Sequence, residues 1–444
     1  MSIQEILTEQ GRSGQKRYNG IFFEEFLPKL QGASGVETYT EMSENDETVG
    51  ALLFAIETLL EQAEWDIQPS GDEDIDRECA EFIKSCMDDM EHGWSDTMSE
   101  IFSYLTYGWS VHEIVYKIRG GNSENPQMYS KYDDRLIGWR KLPIRSQDTL
   151  LRWEYKDGTD DLVGFTQQPP PDHELITIPY DKLLHFRTKS RKNNPEGRSI
   201  LRTAYRSYYF KRRIQEIEGI GIERDLAGLP VISFTSPDVE VDEKAVGQYQ
   251  RIVSSVRRDA VEGLVLPYGV ELKLLTSGGG RQFDTNGIIK RFNNGMLTSV
   301  MADFLILGQN DTGSYALSSD KTRIFAMAIA TYLKIIADEF NKKAIPQLIR
   351  LNGEHFKNIT DFPKLVHGDI EDISIEKFSE AVNRLLPTGV LVPDIHIENK
   401  ARKLLGLPEV TDDRDYPEVQ VEQDNSNDTS PAPKNPEKED DGDE

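Results

Sequence analysis

The chain has 444 residues, 37% of them hydrophobic and 29% charged, with a formal net charge of −26. That composition excludes a low-complexity polymer, and 18 Phe, 17 Tyr and 5 Trp suffice for real cores in the two or three domains this length suggests. No window approaches about 18 uninterrupted apolar residues, and MSIQEILTEQ lacks the basic and apolar regions of a secretory signal, so no membrane span and synthesis in the cytoplasm are expected.

Residues 1–40 carry scattered glycines and read as an extended arm with one short helix around Phe22–Leu30. From Asp46 to Gln62, Val49, Leu52, Leu53, Ile56, Leu59 and Leu60 fall at helical spacing. Trp65-Asp66-Ile67 is a short strand closed by Pro69-Ser70-Gly71. A second helix starts near Asp74 with Ile75, Cys79, Phe82, Ile83 and Cys86 on one side, and a third runs from Trp94 to Tyr107-Gly108. The period then changes to two. Val111–Tyr116 reads as a strand, followed by strands at Leu136–Lys141, Thr149–Tyr155, Leu162–Gln167, Leu175–Ile178 and Leu184–Arg187, with a hairpin turn at Lys156-Asp157-Gly158. Helices first and strands second imply an α+β domain.

Asn194-Pro195-Glu196-Gly197-Arg198-Ser199 opens a long helix, because Pro and Ser suit a first turn. A small module follows: a strand at Val231–Phe234, a helix over about Asp242–Arg257, and strands at Gly263–Leu266 and Glu271–Leu275 around Pro267-Tyr268-Gly269. Ser277-Gly278-Gly279-Gly280 ends it as a joint. A second long helix spans about Asp284–Leu307, with Ile288, Phe292, Met296, Val300 and Phe304 four apart. The polar loop Gly308–Ser314 leads into a third, about Tyr315–Ile345. Helices at about Ser374–Leu386 and Pro393–Leu405 close the folded part, and residues 411–444 read as a disordered acidic tail.

The chemistry-bearing patterns are mostly negative. No GxxxxGK[ST] sequence is present, and Gly219-Ile220-Gly221 lacks a third glycine and lies within a helix. Gly108-Trp109-Ser110-Val111-His112 leads into a strand, the reverse of a nucleophile elbow. The 7 histidines are dispersed, with no HExxH or HxH pattern. Cys79 and Cys86 lie two turns apart on one helix, too far to bridge, and read as structural thiols. Acidic pairs such as Asp88-Asp89, Asp133-Asp134 and Asp160-Asp161 follow from 77 Asp and Glu. No catalytic, cofactor or metal site is therefore expected.

A net-acidic chain is poorly suited to a tight grip on phosphate. It suits a wall along which DNA must slide. One segment runs against the balance: Arg187, Lys189, Arg191, Lys192, Arg198, Arg202, Arg206, Lys211, Arg212 and Arg213, with only Glu196 opposing. Two readings fit it: salt bridges to the acidic remainder, or an electropositive patch for subunit or transient phosphate contacts centred on Arg198, Arg202, Arg206, Lys211, Arg212 and Arg213.

The order of the parts carries a resemblance. Glu64-Trp65-Asp66-Ile67, Tyr107-Gly108-Trp109-Ser110-Val111-His112-Glu113-Ile114 and Pro195-Glu196-Gly197-Arg198-Ser199-Ile200-Leu201 resemble successive landmarks of tailed-bacteriophage portal proteins, in particular a Mu-like subgroup. The resemblance covers roughly residues 40–408. It implies an α+β portal fold: an N-terminal arm (1–40), a wing (41–200), a first stem helix (201–228), an α/β clip (229–280) and a second stem helix (281–307). A tunnel loop (308–319), a wing helix with return strands (320–372) and a helical crown (373–410) complete it before the tail (411–444).

The resemblance further implies a ring, usually of twelve copies, forming the DNA channel at one capsid vertex for genome packaging and ejection. Its partners would be double-stranded DNA, the terminase large subunit, head-completion or adaptor proteins, and the major capsid or scaffolding protein. The protein would reside in the virion, and in host cytoplasm during assembly. Gln309, Asn310, Asp311, Thr312, Gly313, Ser314 and Tyr315 would approach the DNA. Two other classes are weighed beside it. A head–tail adaptor or other minor capsid protein would be shorter and would lack two helices flanking a clip. A metal-dependent nuclease or head-processing enzyme would need a convergent site that these residues do not assemble.

Overall fold

A computed structural model describes residues 9, 11–227, 229–235, 243–255, 266, 268–275, 284–300, 302, 315–357, 359–368, 395–404, 407, 408 and 410. The chain divides into two compact units, Met1–Ile370 and Glu371–Glu444. The first opens with a hairpin of β1 (Arg17–Tyr18) and β2 (Ile21–Phe22). A 3-10 turn at Pro28–Leu30 precedes helix α1 (Gly32–Asn45). This corrects the expected arm: the short helix expected around Phe22–Leu30 is only the 3-10 turn at Pro28–Leu30, and an α-helix begins at Gly32. Burial of Tyr39 and Met42, with Thr38 donating to the Lys29 carbonyl at 3.0 Å, outweighs the poor helix propensity of the glycines.

Helix α2 (Glu47–Glu61) is started by Asp46, whose carboxylate accepts from the Thr48 and Val49 amides at 3.0 and 3.1 Å. Strand β3 (Trp65–Gln68) leads to α3 (Asp74–Asp88) and α4 (Trp94–Tyr107), each burying the face predicted by its apolar spacing. The strand expected at Val111–Tyr116 is two. Strand β4 (Trp109–Glu113) ends where the Ile114 amide turns to the Lys182 carbonyl at 2.8 Å, and β5 (Val115–Ile118) joins another sheet. The remaining strands are β6 (Ile137–Lys141), β7 (Ile144–Arg145), β8 (Leu150–Tyr155), β9 (Leu162–Gln167), β10 (Ile176–Pro179) and β11 (Leu183–Arg187). They pair antiparallel, in the orders β11-β4-β7, β10-β9-β8 and β5-β6.

Asn194–Ser199 does not form a first helical turn, as expected, but a compact loop. Ser199 then caps a 3-10 turn, Ile200–Arg202, before α5 (Tyr205–Ala227). The module that follows is β12 (Leu229–Phe234), α6 (Glu243–Ser255) and β13 (Val270–Leu275). The strand expected at Gly263–Leu266 lies, apart from Leu266, outside the described residues, as do Ser277–Gly280. Helix α7 (Thr285–Ser299) stops short of Leu307: the Ala302 amide folds back to the Leu297 carbonyl at 2.9 Å. Asn293, Asn294, Gly295, Thr298 and Ser299 are weak helix formers, which favours an early end.

Helix α8 (Tyr315–Glu339) continues through a π-helical turn, Phe340–Ala344, into α9 (Ile345–Leu351). Pro346 lacks the amide that would bond back along the helix, which explains the widened turn. Strand β14 (Lys364–His367) then returns to pair with β3. One core therefore joins distant segments: Leu52 and Ile56, Cys79 and Ile83, Ile101 and Phe102, Leu333 and Ile336, and Leu365. In the second unit, α10 (Ile395–Leu404) is held by Asn399, which exchanges bonds of 2.8 and 3.0 Å with the Val410 backbone. The helix expected at Ser374–Leu386 and the tail from 411 lie outside the described residues.

Two motifs singled out in the sequence meet in space. Gly108 ends α4 at φ +95° and Gly197 sits at φ +57°. A Cβ on Gly197 would lie 2.2 Å from the Gly108 carbonyl oxygen, and one on Gly108 would lie 2.6 Å from that of Glu196. Thr188 clamps the pair: its hydroxyl accepts from the Arg198 amide at 2.7 Å and donates to the Arg198 carbonyl at 2.7 Å, while its amide donates to the Gly108 carbonyl at 2.9 Å. Ser199 Oγ donates to the Thr106 carbonyl at 2.5 Å. Both the positive φ and the space exclude a side chain. Gly197→Ala or Gly108→Ala is expected to lower unfolding stability by at least ~2 kcal/mol, read as a lower denaturant midpoint. An unchanged midpoint would remove the close approach from the account.

Candidate functional site

Helices α5 and α7 form an antiparallel pair. Ser207 faces Gly295, Phe210 stacks on Phe292 with ring centroids 6.1 Å apart, and Thr285 donates to Glu218 at 2.7 Å. Going up α5 is therefore going down α7. Between their far ends stands the β12–α6–β13 module, whose strands pair antiparallel from Leu229↔Leu275 to Phe234↔Val270. Phe234 and Tyr249 lock α6 onto β12 with ring centroids 5.5 Å apart. At the near end, Leu201, Ala204, Tyr208 and Met296 enter a core with Tyr39, Met42, Val49 and Leu53. One face of α5 stays bare: Tyr209, Ile217 and Ile220 are all exposed.

Half of the basic segment is ion-paired. Lys211 is only 1% exposed, and its ammonium lies 2.9 Å from Asp46 and 2.7 Å from Glu47. Glu47's pKa is lowered mainly by its hydrogen bond from Lys211. Arg202 holds Glu25 through two nitrogens at 2.6 and 2.7 Å. Arg212 pairs with Glu41 and, at 3.3 Å, with Glu216, which also takes Arg213 at 3.1 Å. Arg198 and Arg206 are exposed and have no ion pair among the described residues. The salt-bridge reading thus describes Arg202, Lys211, Arg212 and Arg213. Sequence reasoning missed the burial of Lys211, although its position continues the buried spacing of Leu201, Ala204 and Tyr208.

Of the loop residues expected near DNA, Gln309, Asn310, Asp311, Thr312, Gly313 and Ser314 lie outside the described residues, and Tyr315 opens α8 with its side chain undescribed. Among the described residues no three His, Cys, Asp or Glu gather to hold a metal, and no helix is long and apolar enough to cross a membrane. Cys79 and Cys86 are free and buried, and burial pushes their thiols up to about 12 and about 11.

Three buried titratable groups sit in or beside the strands that support this region. His112 donates from Nδ1 to the Leu142 carbonyl at 2.9 Å, and His185 donates from Nε2 to the Pro195 carbonyl at 2.8 Å, which holds the loop before Gly197. Burial lowers their pKa values to about 4 and about 3. Glu196, beside Gly197, is pushed by burial up to about 7, with the Trp153 indole acting in the other direction. Glu196 keeps some exposed surface because it lines a cavity of about 620 Å³ between the N-terminal hairpin, β8 and the loop 189–202.

A family model described as "Portal protein of Mu bacteriophage" matches residues 36–402. No curated protein sequence matches the chain significantly. Among solved structures, the neck of an empty GTA particle is similar with a TM-score of 0.50 and 12% identity, over 84% of this chain and 94% of that one. The virion of a native gene transfer agent particle matches with a TM-score of 0.50 and 13% identity, over the same 84% and 94%. An HK97 family phage portal protein from Corynebacterium diphtheriae gives 0.40 and 10%, over 75% of this chain and 95% of that one. At such identities the two GTA structures speak to the fold alone.

Lys211→Met is expected to cost about 3 kcal/mol, because it leaves Asp46 buried without its cation. Chemical denaturation measures this, and a variant as stable as the parent would rule out the buried triad as a tie. The histidines set an acid limit. Their folded pKa values lie below the ordinary 6.5, so the stability they contribute is full above about pH 6.5 and is lost as pH falls through about 4 and about 3. Glu196 has the opposite sign: its contribution is present below the ordinary 4.5 and lost as pH rises through about 7. His185→Gln, whose amide can still donate to Pro195, is expected to flatten the fall in thermal midpoint below about pH 6.5. A slope identical to the parent's would refute a neutral buried His185.

Proposed function

The chain belongs to the portal protein family of Mu bacteriophage, and on that premise we propose that it forms the ring-shaped channel at one capsid vertex through which the genome is packaged and ejected. The family is structural, and packaging follows from membership in it. The observation that carries the channel reading is the bare face of α5. An antiparallel helical pair leaves Tyr209, Ile217 and Ile220 largely exposed in the single chain. Such a stripe needs an apolar partner, and a copy of the same chain related by rotation supplies one all the way round a closed ring.

In this reading residues 41–200 and 320–372 form the wing, α5 and α7 the stem, β12–α6–β13 the clip, and the part around α10 the crown. The clip, remote from the wing along the helical pair, is the natural docking point for the terminase large subunit and later for head-completion or adaptor proteins. Capsid or scaffolding protein would meet the wing. Residues 308–319 would approach the duplex, with Gln309, Asn310, Asp311, Thr312, Gly313, Ser314 and Tyr315 supplying polar contacts without Lys or Arg. Absence of cations there and the overall charge of −26 favour sliding over trapping. The force for packaging comes from the partner ATPase. The ring would lie in the virion, having been assembled in host cytoplasm.

Negative-stain microscopy of the purified full chain is expected to show annular particles with a central channel, about twelve copies in each. A compact monomer at high concentration would overturn the reading. Ile217→Asp with Ile220→Asp is expected to abolish rings while leaving the circular dichroism of the monomer unchanged. Rings that persist in that variant would remove the α5 face from the subunit contact.

A further inference from the structure

The cavity beside Glu196 has a composition that the channel does not use. Its deep wall is apolar, formed by Phe22, Leu30, Tyr39, Trp109 and Trp153, all buried. Its mouth exposes Ile21, Leu151 and Phe26, the last 88% exposed. Around that mouth stand Lys189, Arg191 and Arg198, all exposed and none ion-paired among the described residues. Two of the three acidic groups lining it are already engaged. Glu24 is paired with Lys192 at 3.2 Å and Glu25 with Arg202 at 2.6 Å, while Glu196 is half-buried. In a chain carrying −26, three free cations around one apolar hollow form a local inversion of charge.

The hollow also has a backbone edge. Strand β8 is the outer strand of its sheet, ordered β10-β9-β8. The hairpin covers that edge only where the Trp153 amide donates to the Gly20 carbonyl at 3.1 Å. Further along the same strand, Leu151 lines the cavity at a β-bulge, where the register with β9 shifts between Leu150 and Arg152. An uncovered strand edge beside an apolar hollow is the feature to which an extended peptide adds, with backbone bonds giving affinity and alternate side chains filling the hollow.

We propose that this cleft docks an extended acidic segment of a partner protein, added alongside β8 with an aliphatic or aromatic side chain in the hollow and carboxylates on Lys189, Arg191 and Arg198. Duplex DNA has no group to fill an apolar wall. Single-stranded DNA would need free ring faces for its bases, and here Trp109 and Trp153 are packed edge-on against one another at 5.2 Å and against Phe165 at 6.1 and 5.4 Å. A peptide uses all three features together: cations, hollow and strand edge.

The test uses the full-length protein and a fluorescent twelve-residue peptide alternating Glu with Leu and Phe, read by anisotropy. The peptide is expected to bind, and to bind more weakly as salt is raised. A peptide with Lys in place of Glu, and one with Pro at every second position, are expected to lose binding at least tenfold. The triple variant Lys189→Glu, Arg191→Glu, Arg198→Glu is expected to lose it at least tenfold while keeping the parent's thermal midpoint, since all three side chains are exposed. Leu151→Asp, also partly exposed, supplies a second variant on the hollow and edge rather than the charge. Peptide binding unmoved by both variants overturns the proposal, as does a single-stranded oligonucleotide that binds better than the acidic peptide. A protein that forms rings but ignores the peptide overturns this proposal and leaves the channel reading standing.

Discussion

At Gly108 and Gly197 two stretches of backbone touch without side chains between them, and helix α5 takes its direction from that contact. The strand β4 leaves one glycine and the loop before α5 leaves the other. Thr188 bonds to both partners through its amide and hydroxyl. The buried backbone groups are thereby satisfied, as burial requires. Any residue with a Cβ at either place would push the helix away from the strand that aims it.

From this junction the ties become longer in sequence. His185 carries the loop on one imidazole nitrogen, and its own amide donates to Glu339 at the end of α8 at 3.1 Å. Lys211 ties α5 to the cap of α2. Tyr104 donates to the Tyr332 carbonyl at 3.0 Å, bringing α4 to α8. A buried ion group adds little net stability over an apolar replacement, but breaking half of it is costly. Such groups therefore fix geometry more than they raise stability, which suits a helix whose angle must be the same in every copy of a ring.

Local pattern made much of this legible. The apolar spacing of α2, α3 and α4, the alternation in β6, β8 and β9, and the Gly-containing turn at Gly158 could be read directly, because each depends on neighbours within a few residues. The order of long helix, small module and long helix pointed to the family now matched over residues 36–402. What could not be read were facts about partners far away. Glycines hid α1, whose stability comes from the core it covers rather than from propensity. Arg202, Lys211 and Arg212 looked like a cationic patch because Glu25, Glu47 and Glu41 lie more than 160 residues earlier. The cleft by β8 is assembled from four separate stretches, so no single window contains it.

The pairing of β14 with β3 closes the α+β body on itself across the excursion of α5, the β12–α6–β13 module and α7. Core residues before α5 and after α7 belong to one cluster, from Leu52 to Leu365. Phe210 and Phe292, where the excursion leaves and returns, are stacked on each other. The excursion is therefore an insertion with adjoining ends. Lengthening or shortening it alters loop closure only slowly with length and leaves the body's packing as it was. Evolution is free to change how far the helical pair reaches, and the make-up of the module between its far ends, without redesigning the body that holds it.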